Sequence, residues 1–177
     1  AARFDAQGQV VLLEDQDRSL WSRTMIDEGL GLIDKAVRHR LPGPYQIQAA
    51  VAALHARATT AEETDWAEID QLYAALEKMR PSPVITLNRA VAISKLKGPA
   101  TALAMIEPLA EKLDGYFYFH GVRGALLMQD GHGREAPEAF GKAISLASTP
   151  AEAAHIRLQL DRLQKDGAAP KPTKAAS

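Results

Sequence analysis

Asn88-Arg89-Ala90-Val91-Ala92-Ile93 and Val122-Arg123-Gly124-Ala125-Leu126-Leu127 lie 34 residues apart, and their alignment decides the fold. The same offset carries Ala102 onto Ala136, Ile106 onto Phe140 and Leu109 onto Ala143. Small residues recur at positions where two helices can cross closely. Larger apolar residues recur beside them, at the 3.6-residue spacing of a helix face. A fixed period of this length, built from two helical segments each time, predicts stacked helix hairpins.

Working outward, turn residues divide the chain into about eight helices. They are expected near 18–40, 44–58, 65–79, 83–97, 99–113, 116–129, 134–147 and 150–165. Asp17, Asp65 or Thr64, Ser82 and Thr149 stand where N-caps belong. Pro44, Pro83, Pro99 and Pro150 stand at first helical positions. In the first helix Trp21, Met25, Leu30, Ile33 and Val37 form the expected apolar stripe. Residues 1–17 read as an extended junction segment, 18–166 as the helical domain and 167–177 as a disordered tail.

Composition agrees with helices. Apolar residues make up 46% of the 177 positions but aromatics only 6%, much of the remainder being alanine. The absence of cysteine excludes disulfides and cysteine-ligated metals and allows a reducing cytoplasm, which is the expected location. Twenty-one basic residues against 22 acidic ones leave a formal charge of -1, without the basic excess of a free-standing DNA-binding domain. No apolar run is long enough to span a bilayer, so no membrane partner is expected. The chain opens at Ala1 rather than methionine and reads as part of a longer protein.

The repeated pattern resembles the tetratricopeptide motif. Gly124 stands as the small residue of a first helix, and Ala136, Phe140 and Ala143 give the run of a second. Tyr73, Leu76 and Pro81 suggest a degenerate unit ahead. Arg89 and Arg123 depart from the motif, which prefers leucine there, and Ser148 replaces its closing proline. The resemblance implies an all-α, tetratricopeptide-like array of antiparallel hairpins.

A second resemblance is narrower. Leu12-Leu13-Glu14-Asp15-Gln16-Asp17-Arg18-Ser19-Leu20-Trp21 resembles a signature of one subgroup of extracytoplasmic-function RNA polymerase sigma factors. That subgroup carries a C-terminal tetratricopeptide extension. Gly43-Pro44-Tyr45-Gln46-Ile47-Gln48-Ala49-Ala50, Thr64-Asp65-Trp66 and the stretch from Ser82 to Ala92 resemble the same extension in the same order. The resemblance spans about residues 3–165 and implies a regulatory role in transcription initiation. The implied partners are the sigma domains of the same protein and the core polymerase, with promoter DNA contacted only through helices preceding this chain.

Candidate interaction residues follow. Asp15, Gln16, Asp17, Arg18 and Trp21 combine charge with a large aromatic, the composition of an interface anchor. Trp21 reads equally well as core, in which case alanine there should cost about 3–5 kcal/mol. Asn88 lies in a stripe with Val84, Val91 and Lys95 that a tetratricopeptide array turns toward its groove, and Gln48 and His55 extend it. An asparagine satisfied inside the array is the competing reading.

Catalytic and metal readings are weaker. Glu14, Asp15 and Asp17 lack the ligand number and tight glycine turn of a calcium loop. Glu152 and His155 have the spacing of one half of a di-iron motif, but only one such pair occurs. Gly121-Val122-Arg123-Gly124 sits in a helical pattern and makes a poor phosphate loop. None of the five histidines adjoins a nucleophile pattern. No cofactor or catalytic residue is assigned. The alternatives are a scaffold module outside transcription and, further off, an enzyme with an unrecognised site.

Overall fold

The computed structural model describes residues 2–3, 6, 11, 13, 15–38 and 43–168, with Val37 and the last eight described by backbone alone. Among the described residues the chain is all-helical. The α-helices are α1 (Arg23–Arg38), α2 (Pro44–Arg57), α3 (Trp66–Met79), α4 (Pro83–Lys97), α5 (Pro99–Ile106), α6 (Phe117–Gln129), α7 (Ala136–Leu146) and α8 (Pro150–Ala168). Single 3-10 turns occupy Arg18–Leu20 and Glu107–Leu109. Each helix packs on the next, and α6 also touches α4 and α8, so the α4/α5 and α6/α7 hairpins stack.

The local chemistry explains most boundaries. The Asp65 carboxylate accepts from the Glu68 N–H at 2.9 Å and starts α3. At α8, the Thr149 hydroxyl accepts from the Glu152 N–H, while the Glu152 carboxylate accepts from the N–H groups of Ser148 and Thr149. This is a reciprocal capping box. Gly131, at φ +80°, closes α6. The His132 N–H then reaches the Leu127 carbonyl, and the Gly131 N–H reaches that of Met128.

Several expectations are corrected. The first helix starts at Arg23, because Ser22 caps it through the Met25 N–H, while Asp17 caps only the preceding 3-10 turn. Trp21 is therefore extended and outside the helix. The described part of the stripe on α1 is not fully buried: Met25 is 73% exposed, Leu30 and Ile33 are half-buried, and the main packing of α1 is on α2. The α-helical part of α5 stops at Ile106, since Pro108 has no N–H to continue the ladder. Ser82 precedes α4 without a side-chain cap bond, and α7 begins at Ala136 rather than Arg134. Gly167 and Ala168 belong to α8, and the rest of the expected tail lies outside the described residues. Much of the expected extended segment does too; of its described part, residues 2, 3, 6, 13 and 15 are turns.

The core lies where the period placed it. Ala90, Ala102, Ile106, Ala136, Phe140 and Ala143 are fully buried, in one cluster with Phe119 and Leu87. A second cluster joins Val51 and Leu54 of α2, Ile69 of α3 and Ala92 of α4. Helix α4 thus serves both cores from opposite faces.

The two arginines that depart from the motif have a shared geometry. On α4, Arg89 donates to Asp70 at 2.6 Å and to Glu77 at 2.8 Å, both on α3. On α6, Arg123 donates to Glu107 at 2.8 Å, just beyond α5. Each reaches back to the helix immediately before its own, Arg89 to α3 and Arg123 to the residue that follows α5. The α3 pair is the more sheltered, with both carboxylates about one-fifth exposed. Arg89→Met should therefore cost about 2–3 kcal/mol in chemical denaturation, because two half-buried carboxylates lose their partner. Arg123→Met should cost under about 1 kcal/mol, since Glu107 is about half exposed.

Candidate functional site

Four of the residues singled out in the sequence meet at one cavity. Arg18, His55, Asn88 and Lys95 line a hollow of about 280 Å³ between α2, α3, α4 and the 15–21 segment. Its apolar wall comes from Leu13, Ile69 and Val91. Trp66, Tyr73, Ala61 and Ala92 also line it.

Arg18 is the keystone. It is 6% exposed, although it sits on a single 3-10 turn. Its Nη1 donates to the carbonyls of His55 at 2.9 Å and Ala58 at 2.8 Å, and its Nη2 to the Thr64 hydroxyl at 3.5 Å. A cation on the last carbonyls of α2 is favoured by the helix dipole. The guanidinium also lies 5.0 Å from the centre of the Trp21 ring. Its Nε is buried without a hydrogen-bond partner.

The aromatic side is equally ordered. The rings of His55 and Trp66 meet edge-to-face at 5.3 Å. The Lys95 ammonium stands 5.9 Å from the Trp66 ring centre, within cation–π range. Burial, and then the nearby Arg18 charge, hold the His55 pKa below its ordinary 6.5. Burial raises that of Tyr73. Both groups are accordingly neutral near pH 7.

The remaining candidates flank this cavity. Asp17 accepts from the Ser19 N–H at 2.9 Å, and hydrogen bonding from the Ser19 side chain and then from that N–H lowers its pKa. The Gln16 amide donates to the Val11 carbonyl at 3.1 Å, and Asp15 is exposed. Trp21 is half-buried beneath Arg18 rather than packed in the core, so the large cavity penalty does not apply to it. Gln48 lies outside the cavity, in an adjoining recess that it shares with Asn88 and Tyr73. Asn88 is exposed and lines both, which answers the question of an internally satisfied amide.

Sequence reading missed the site roles of Trp66 and Tyr73. An available signal was the rarity of tryptophan, with only two in the chain. Glu152, three residues before His155, is engaged in capping α8. Its neighbour His155 lines a second, apolar groove of about 370 Å³ between α4, α6 and α8, which meets the first cavity at Val91 and Lys95. No helix among the described residues is long and apolar enough to cross a membrane.

Comparison with known proteins adds two findings. Residues 1–37 match a family described as a family of unknown function (DUF6596). Over 167 residues the chain is 67% identical to an uncharacterized protein, R00370, of Rhizobium meliloti (strain 1021). That match covers 94% of this chain and 40% of the relative, so the chain spans well under half of the relative's length. No solved structure matches the chain.

Proposed function

We propose that this chain is the tetratricopeptide-like regulatory extension of an extracytoplasmic-function sigma factor and acts in transcription initiation in the cytoplasm. The reading rests on the sequence resemblance, and one structural observation carries it further. Within the stretch that resembles the sigma-factor signature, the 15–21 segment is anchored: Arg18 is tied to the end of α2 and lies over the Trp21 ring. Its neighbours face outward, with Leu20 59% exposed and Asp15 exposed. Met25 and Leu32 continue an uncovered apolar surface along α1. A rigidly held segment with exposed charged and apolar groups has the build of a docking surface.

The stacked hairpins support the finer description as a tetratricopeptide-like superhelix, as do the matching roles of Arg89 and Arg123. The docking partners are the sigma domains of the same protein and the core polymerase. Promoter DNA is read by helices outside this chain, and the longer relative has room for such helices beyond the matched part.

The test is a reporter assay on the full-length protein carrying Trp21→Ala and Asn88→Ala, with circular dichroism on the same variant. The Trp21 change removes a cation–π contact worth about 1 kcal/mol, so the array stays folded. Promoter-specific transcription should fall about tenfold or more if these residues anchor a partner. Normal transcription from the folded double variant would sink the docking role. By itself the chain should show no tight, salt-sensitive promoter binding in an anisotropy titration.

A further inference from the structure

We propose that the cavity between α2, α3, α4 and the 15–21 segment is a binding site for a small organic carboxylate with a flat apolar body. Its charge balance motivates the proposal. Arg18 is more than nine-tenths buried, yet among the described residues it forms hydrogen bonds only to neutral oxygens. Buried cations ordinarily meet an anion, and here one donor, Nε, is left without any acceptor. Glu62 and Glu63 stand near enough to feel the charge, but both are exposed. Their carboxylates are held chiefly by hydrogen bonds inside their own loop.

The lining matches that ligand class. Among the described residues it contains the Arg18 guanidinium and the Lys95 ammonium, the latter engaged with Trp66, and no carboxylate. The Asn88 amide adds a hydrogen-bonding group at the rim. Trp66 and Tyr73 supply aromatic walls, and the wall at Ile69 and Val91 is apolar. A cavity near 300 Å³, mostly apolar with a few convergent polar groups, has the dimensions and composition of a small-molecule site. A carboxylate there would give the buried guanidinium its counter-charge while its rings lie against the aromatic walls. It would also bridge the 15–21 segment to three helices, and so stabilise the anchored form of that segment by mass action. The inference rests on the cavity alone and stands or falls apart from the transcription reading.

The test is calorimetric titration of the chain with naphthoate, and with naphthalenemethanol as its neutral counterpart. Naphthoate should bind at one site, about tenfold more tightly than the alcohol, and shift the Arg18 Nε–H resonance. Lys95→Met should shrink that preference while leaving alcohol binding in place. Ala61→Trp, which fills the cavity from its loop side, should abolish binding of both. Circular dichroism shows whether each variant is folded. No binding of naphthoate up to its solubility limit would overturn the proposal. Equal affinity for acid and alcohol would do so too, as would binding that persists in folded Ala61→Trp.

Discussion

Gly124→Leu should destabilise the chain by about 3 kcal/mol, at the upper end of what overpacking produces. A Cβ on Gly124 would meet Phe140 ring carbons at 2.6 and 2.7 Å. Phe140 is fully buried and clustered with Ala90, Ala102 and Ile106, so its ring can move aside only by disturbing that packing. The collision starts at the first side-chain carbon, and even Gly124→Ala should cost about 1–2 kcal/mol. Urea denaturation followed by circular dichroism gives both values. Combining Gly124→Ala with Phe140→Leu should show favourable coupling, because trimming the ring makes space for the new methyl. Wild-type stability in Gly124→Leu would mean that α6 and α7 do not cross at this glycine.

The second large effect belongs to Arg18. Arg18→Met should cost about 2–3 kcal/mol, because it removes charge-assisted bonds to two carbonyls at the end of α2. The loss is concentrated at the end of α2 and in the 15–21 segment, whose amides should exchange faster while those of α6 and α7 keep their protection. A proton titration of His55 provides an independent check. Its pKa is held down first by burial and then by the Arg18 charge, so the variant should titrate closer to 6.5. A histidine with a depressed folded pKa binds fewer protons folded than unfolded. Its contribution to stability is therefore complete above 6.5 and is lost as the pH falls toward the folded value. Arg18→Met should weaken this acid sensitivity. An unchanged His55 titration would show that burial alone sets it.

Neither result depends on transcription, and the second bears on the docking proposal. If the 15–21 segment detaches in Arg18→Met, the same variant separates anchoring from recognition. Trp21→Ala should then act on partner affinity, and Arg18→Met on whether the surface is presented at all.

The helices and the hairpin crossings were legible in the sequence by itself. Capping residues, prolines and glycines act within one turn of themselves, which is why α2, α3, α4 and α8 begin where their caps and prolines stand. The 34-residue alignment found Ala90, Gly124, Ala102 and Ala136 because a close helix crossing demands small residues wherever it recurs. Local competition set the errors. Ser22 outcompeted Asp17 as the cap of α1, and Pro108 ended the α-helical part of α5 early. The convergence of Arg18, His55, Asn88 and Lys95 on one cavity was decided only by the tertiary structure. So were the roles of Trp66 and Tyr73. Arg18 meets its acceptors 37, 40 and 46 residues away, through bonds that no periodicity encodes. A buried arginine and an exposed one look alike in a sequence, because what distinguishes them is the helix end that packing brings against the guanidinium.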